Sequence, residues 1–471
     1  MGAFVAPLAA VASVASCSSD AETVSPIGSG GAASATATSS SGSTASTQPT
    51  SSTSSSTSTT STGGRDAGSD VNTDAPVVDA GDGPCALPGS VQFTASGIAT
   101  VPGGQLDAPD LTFLRLPVGF CAHYFGTVGN TRQLRFAPGG ELFVASPTTL
   151  TTGGGPGGLS AIVVLPDDDG DGYADSPIRF LNQLPSTQGL LFATDSFYYQ
   201  DGTKIMKLPY TSGQRAPQGA ATMVTDITYY NSQLHWPKPM DMADDGTLYV
   251  GNGGDQGEAC DTSRPAHGAV VKVLPNGHGD PIAIGLRNPI AIRCTHGANA
   301  QCFGLELAKD YSNPEGGREK MFPIRDGDDW GFPCCATKGV PYAGVGQVDC
   351  SHTAPEAEGF FIGDTPFGLA FESHGWPAPW GTRAFVTLHG AAGPWTGTRL
   401  VSVEMDATTG QPVAGDDLAD GSSLGGMVDF ATGWDDGTLA HGRPAAVDFS
   451  PDGRLFVGND GNGVIFWIAP I

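Results

Sequence analysis

One histidine, three arginines and a few amides are the side chains of this sequence best suited to chemistry. His235 lies in HWPKPMDM. A neutral imidazole near physiological pH takes a proton from a hydroxyl, so His235 is the candidate base for oxidation of an alcohol. A structural histidine bonded to a neighbouring strand would read the same. Arg287 and Asn288 are adjacent in GLRNP. A guanidinium beside a carboxamide suits an oxygen-rich ligand, or charge developing on a carbonyl oxygen. Arg132, Gln133, Gln188 and Arg443 add donors. Donors with few carboxylates among them predict an anionic or quinone-like ligand, not a bare cation. The alternative for the arginines is a set of salt bridges at sheet edges.

The elements that must position these residues are written as a repeat. A polar residue, a few small apolar residues, a Gly/Asp turn and a β-rich run return six times. The clearest copies are RQLRFAPGGELFVA (132–145), HWPKPMDMADDGTLYVG (235–251) and RPAAVDFSPDGRLFVG (443–458). Weaker copies start at Gln188, Arg287 and Thr365. Units of strand and turn at intervals near 50 residues predict an all-β, six-bladed β-propeller. Innermost strands of a propeller start at the central channel, so the six starting residues are expected to converge around one axis. The starts are most widely spaced over about 296–362, which predicts long loops in the fourth and fifth blades, on the substrate side.

Charge narrows the partners. The chain has 471 residues, with 22 Lys+Arg against 48 Asp+Glu and a net charge of -26. That excludes a basic face for nucleic acid and disfavours unaided adsorption to anionic membranes. Residues 1–17 have an apolar stretch too short to span a bilayer, ending in VASC, and read as a lipoprotein-type signal with Cys17 as the lipidated residue. A plain secretory signal is the alternative. Residues 18–84 are rich in Ser, Thr, Ala and Gly, the composition of a flexible tether. The domain is expected over 85–471, in an exported protein of the periplasm or outer membrane. Eight further cysteines suggest up to four disulfides. Cys294–Cys302 is the expected pair; a Cys85–Cys121 bond would staple the start of the domain to the first blade, and sequence does not pair the rest. No CxxC or Cys/His spacing supports zinc. The run DDDGDGYAD places Asp167, Asp169, Asp171 and Asp175 in the alternation of a calcium loop, without the acidic twelfth residue of an EF-hand. A surface Ca²⁺ site and a plain hairpin turn both fit.

LPVGF (116–120), TRQLRFAPGGELFV, DDDGDGYAD, the His235 frame running into DGTLYVGNGGDQG, GLRNP, DGDDWGFP (326–333), LHG (388–390) and GRPAAVDFSPDGRLFV occur in this order. Together they resemble the soluble quinoprotein glucose/sorbosone dehydrogenases over most of 111–471. The resemblance implies a six-bladed propeller using pyrroloquinoline quinone (PQQ) and Ca²⁺ to oxidise a sugar or sugar-derived aldehyde, with an external electron acceptor. It implies His235 as the base, Arg287 at the reacting quinone carbonyl, and Asn288, Arg443 and Gln188 on the cofactor. Arg132 and Gln133 would add donors. It also implies Ca²⁺ held by backbone carbonyls near Asn313, Pro314 and Glu315. The sequence departs from the family at Leu234, at Ala445 and in HGAAGPW (389–395), where the sorbosone type has HGSWNR. Two other functions keep a propeller: a non-catalytic cell-surface binding module, and a Ca²⁺-dependent lactonase. The lactonase wants carboxylates on a central metal, whereas the repeat starts here supply Arg, Gln, His and Thr.

Overall fold

A computed structural model describes residues 83–146, 159–228, 235–254, 259–260, 268–309, 318–361, 363–390, 397–413, 426–436, 438 and 440–471. A 3₁₀ turn at Pro84–Ala86 is the helical element among them. Strands β1 (Val91–Thr94), β2 (Gly97–Thr100) and β3 (Phe120–Thr127) come first. The first blade is β4 (Gln133–Phe136), β5 (Leu142–Ser146), β6 (Leu159–Leu165) and β7 (Ile178–Pro185). The second is β8 (Leu190–Ala193), β9 (Ser196–Asp201), β10 (Lys204–Pro209) and β11 (Thr222–Asp226). The third is β12 (Met240–Met242), β13 (Leu248–Asn252), β14 (Ala269–Val273) and β15 (Gly279–Ala283). The fourth holds β16 (Asn288–Cys294), β17 (Cys302–Leu307) and β18 (Arg318–Pro323), then a hairpin of β19 (Cys335–Thr337) and β20 (Val340–Pro341), and finally β21 (Glu358–Phe361). The fifth is β22 (Pro366–Phe371), β23 (Arg383–Leu388), β24 (Arg399–Glu404) and β25 (Met427–Ala431). The chain ends with β26 (Arg443–Phe449), β27 (Leu455–Asp460) and β28 (Val464–Pro470).

Each blade is an antiparallel sheet, and the six form the expected six-bladed propeller. The last blade is completed from the start of the chain: β3 pairs with β28, and β1 and β2 extend that sheet to six strands. The three best repeat copies turn on Gly140, Gly246 and Gly453, each with φ between 83° and 94°, a region glycine enters without steric cost. Blades are covered on both faces, so their strands read as apolar runs rather than alternating ones. Residues 142–145 (LFVA) are all buried. Six apolar clusters fill the six boundaries between blades. Phe143 of the first blade packs with Phe197 of the second, for example, and Leu305 of the fourth with Leu369 of the fifth.

Buried polar groups join the blades into a closed circuit near the axis. Arg135 of the first blade donates to the Leu190 carbonyl of the second (3.0 Å) and the Met240 carbonyl of the third (3.2 Å), and lies 3.4 Å from Asp241. Asp241 accepts the backbone N–H of Cys294 in the fourth (3.1 Å). Arg293 of the fourth reaches the Leu369 carbonyl of the fifth (2.8 Å) and Asp448 of the sixth (2.7 Å). Asp448 accepts the N–H of Phe136 in the first (2.9 Å). Burial raises the carboxyls of Asp241 and Asp448, against the pull of Arg135 on both.

All eight cysteines from Cys85 onward are paired: Cys85–Cys121, Cys260–Cys334, Cys294–Cys302 and Cys335–Cys350. The third is the pair expected from sequence, and the first is the staple that the sequence allowed without fixing. The long insertion belongs wholly to the fourth blade, between β18 and β21, and not partly to the fifth. The repeat spacing located it, but only strand pairing shows where the blade ends.

The circuit predicts an asymmetry between ion pairs. Arg293→Met strands Asp448 in the interior and should lower the unfolding free energy by about 3–5 kcal/mol. Asp168→Asn, which removes the exposed partner of Arg215, should lower it only slightly, because solvent screens the pair. Urea unfolding of both variants checks the contrast.

Candidate active site

The six repeat starts occupy two levels of the channel rather than one ring. In the first three blades the inner strand runs without irregularity: Leu134 faces Val144, Leu190 faces Tyr199 and Met240 faces Val250. Two residues ahead of each stand Arg132, Gln188 and Lys238. The residue level with Arg132 in the third blade is thus Lys238, and His235 lies three residues further out. In the last three blades the register shifts after Pro289, Pro366 and Pro444. The bulge lifts Arg287, Thr365 and Arg443 to an outer level. Phe367 and Ala445 take the inner one.

The inner level is nearly closed. A cavity of about 20 Å³, room for about one water, is bounded by Arg132, Gln133, Gln188, Pro239, Ile290 and Phe367 among others. The amide of Gln188 donates to the Ile290 carbonyl across the axis (3.1 Å). Gln133 exchanges hydrogen bonds with the backbone of Leu190. These two amides tie blades together, and a larger ligand is confined to the outer level.

At the outer level Gly254 joins the third and fourth blades. Its carbonyl accepts from His235 Nδ1 (2.9 Å), and its N–H donates to the Arg287 carbonyl (2.8 Å). A carbonyl only accepts, so Nδ1 carries a proton; in the neutral ring this leaves the lone pair on Nε2, the tautomer a base needs. Gly253 is pressed against the same residues. A Cβ there would come 2.3 Å from His235 Cβ and 3.2 Å from Asn288 Oδ1. His235 and Asn288 are 4 % and 5 % exposed, and Asn288 Oδ1 has no hydrogen-bond partner among the described residues. The N–H of Arg287 is held by Glu306 (2.8 Å), which pairs with the buried Lys320 (3.2 Å). Lys320 also donates to the Trp330 carbonyl, and Phe332 N–H to that of Gly285. The WGFP stretch therefore braces the backbone just ahead of Arg287.

On the opposite side Asp460 gathers the other basic side chains. Arg443 binds it through Nε (3.1 Å) and Nη2 (3.3 Å), His389 Nε2 lies 2.7 Å away, and Arg132 Nη1 3.7 Å away. Arg132 also lies over the Phe367 ring, which packs against His389. Burial alone would raise Asp460; His389 and the guanidinium groups of Arg443 and Arg132 hold it well below the carboxylate range. Burial pushes His389 down to about 4, against the upward pull of Asp460. Thr365, with φ 55°, is fixed by Glu319 at its N–H and by the His389 N–H at its carbonyl. Asp460, His389 and Lys238 were missed in the sequence. GND at 458–460 matches GNG at 251–253, and that match was the available signal for the end of the second strand.

Asp167, Asp169 and Asp171 bring carboxylate oxygens within 4.8 Å of one another. Asp175 stands apart, accepting the N–H of Asp168. This loop packs against the outer strands of the last blade, where Gly172 accepts from Trp467. Cys17, Asn313, Pro314 and Glu315 lie outside the described residues, as does Leu234.

Solved structures share this architecture. The calcium structure of a Trichoderma reesei enzyme of carbohydrate-active family AA12 aligns with TM-score 0.60 and 16% identity, over 78% of this chain and 99% of that one. The holo pyranose dehydrogenase PQQ domain of Coprinopsis cinerea aligns with TM-score 0.60 and 16% identity, over 78% and 98%. The apo-form soluble aldose sugar dehydrogenase of Escherichia coli aligns with TM-score 0.51 and 13% identity, over 75% and 100%. The chain has their fold. Residues 125–285 match a family described as a domain of unknown function (DUF7133), and no curated protein sequence matches. The resemblance read from the motifs is met by structural neighbours that include a pyranose dehydrogenase PQQ domain and an aldose sugar dehydrogenase.

His389 gives the site a measurable pH signature. Its folded pKa lies below that of an unfolded histidine, so the unfolded chain binds more protons between pH 6.5 and about 4. The stability of having it neutral is complete above pH 6.5 and is lost as pH falls toward 4, by roughly 3 kcal/mol at most. Asp241 and Asp448 act in the opposite sense, so the comparison with His389→Gln isolates the effect. The wild type should lose more unfolding free energy than the variant from pH 7 to pH 4.5; equal slopes would refute a buried neutral His389.

Proposed function

We propose that this protein oxidises a sugar or sugar-derived aldehyde with PQQ, in a Ca²⁺-dependent manner, and that His235 is the base. The observation that carries the reading is the Gly254 bridge, which places a buried imidazole of defined tautomer against the Arg287–Asn288 pair. PQQ carries three carboxylates and an o-quinone, so it asks for cations and for amide or guanidinium groups. The outer level supplies Arg287 and Arg443, and Arg132 extends toward Asp460 from the inner level; Asp460 offsets part of their charge, and the unpartnered buried amide oxygen of Asn288 marks a position built for contact with a ligand. On these observations the residues fit the cofactor.

In this reading Arg287 and Asn288 orient the reacting quinone edge, while Arg443 and Arg132 bind carboxylate groups at the far side. Bound PQQ supplies the two-electron acceptor, and an external acceptor later removes the electrons. His235 Nε2 takes the substrate hydroxyl proton, and its Nδ1–H bond to Gly254 holds the ring in place as it becomes charged. The narrow inner level keeps the ligand at the rim, where sugar can reach it. Ca²⁺ near residues 313–315 belongs to this proposal, as does a second Ca²⁺ at Asp167, Asp169 and Asp171. Four disulfides support an exported protein, and anchoring through Cys17 is part of the same reading.

Asp460 favours one alternative, since it already pairs with two arginines that a tricarboxylate would use. If that pairing persists, the propeller is a non-catalytic binding module. Calorimetric titration of PQQ into the Ca²⁺-loaded protein separates the two. Tight binding, weakened at least tenfold in Arg443→Ala, supports the enzyme; no binding supports the module. Given binding, His235→Ala should lower kcat for dye reduction by about 10²- to 10⁴-fold while leaving PQQ affinity within a few-fold.

A further inference from the structure

Lys238 is fully buried, yet among the described residues no carboxylate lies within 4.0 Å of its ammonium group. Its Nζ donates to Asn252 Oδ1 at 2.8 Å, and Asn252 is itself 0 % exposed. A buried charge held by one amide is a costly way to fill space, and an aliphatic side chain would pack there more cheaply. The surroundings show what the charge is aimed at. Asn252 is the last residue of β13, and residues 253 and 254 are the glycines that touch His235. The segment 235–238 is thus pinned to the same strand end twice, by His235 Nδ1 on the Gly254 carbonyl and by Lys238 Nζ on Asn252. Gln200 fixes the middle, donating to the Trp236 carbonyl (2.9 Å) and accepting the Lys238 N–H (3.0 Å). Among the described residues, the charged groups next to this segment include Lys238, Asp226 at the end of β11, and Arg287 ahead of β16.

We propose that Lys238 is a positioning residue for His235. Its ammonium locks Asn252, so the turn at 253–254 presents a fixed carbonyl to the imidazole, and its positive charge disfavours a second proton on the ring. The result is an imidazole that stays neutral, with its basic lone pair on Nε2, at neutral pH. Burial lowers Lys238 itself to about 8, which marks how little compensation its charge receives. The role rests on His235 being the base, but the fixing of the ring is testable without catalysis.

The test is ¹⁵N-histidine NMR of the whole protein, with the His235 signal assigned from its loss in His235→Gln. In the wild type His235 should be the Nδ1–H tautomer. Lys238→Met should raise its pKa by about one unit and mix the tautomers, whereas Lys238→Arg should keep both near the wild type. Should Lys238→Met fail to fold, Asn252→Ala keeps the charge and removes the lock; it should mix the tautomers with little change in pKa. A His235 signal unchanged in Lys238→Met, or in Asn252→Ala where only that variant folds, overturns the proposal. Where PQQ-dependent dye reduction is seen, the acid limb of the kcat profile should move up with the His235 pKa in Lys238→Met. An altered His235 in a protein that oxidises no sugar upholds the positioning and sinks the enzyme reading instead.

Discussion

Six blades whose apolar faces pack only on their neighbours share no apolar core, and the circuit through Arg135, Asp241, Arg293 and Asp448 joins them. Each guanidinium crosses from its own blade to the next two, and each carboxylate closes the gap that remains. Apolar packing between blades is strong but weakly directional. Hydrogen bonds to backbone carbonyls fix how far each inner strand slides along the axis. The levels of the channel, and so the height at which every side chain emerges, follow from that placement.

The outer level divides into two halves of different character. On one side the backbone is held from below: Lys320 and Glu306 fix Arg287, and Gly254 carries the constraint to His235. On the other side the side chains hold one another, with Asp460 between Arg443, His389 and Arg132. The first half is suited to precise placement of a reacting atom. The second is a reservoir of positive charge whose strength depends on what its single carboxylate is paired with. An anionic ligand entering the site competes with Asp460 rather than filling a void, so affinity and proton uptake are coupled there.

Much of this was legible in the sequence. The repeat gave the number of blades, because each copy carries its own turn glycine and its own apolar run. The short Cys294–Cys302 loop also followed. The single ring of repeat starts did not, and the reason is local. Backbone bulges follow Pro289, Pro366 and Pro444, and a bulge changes the level of a side chain without changing the spacing of residues. Asp460 and His389 escaped because they end second strands, where a repeat aligned on first strands does not look. Lys238 escaped because a lysine near a conspicuous histidine reads as solvated surface until its burial is known.

Closure by β3 and β28 sets the order of events in synthesis. The first strand of the ring waits for the last, and the final bond of the circuit, Asp448 to Phe136, also joins late residues to early ones. Blades one to five can form as they emerge, but the channel has no fixed diameter until the chain beyond residue 464 is available. A ribosome-bound or clipped chain lacking those last few residues is therefore an open arc, not a propeller with a damaged blade. Its Arg443 and Asp460 would be made without the Arg132 side of the pocket against them. The first and last blades meet at the site, so the pocket takes its final shape only once β28 is in place.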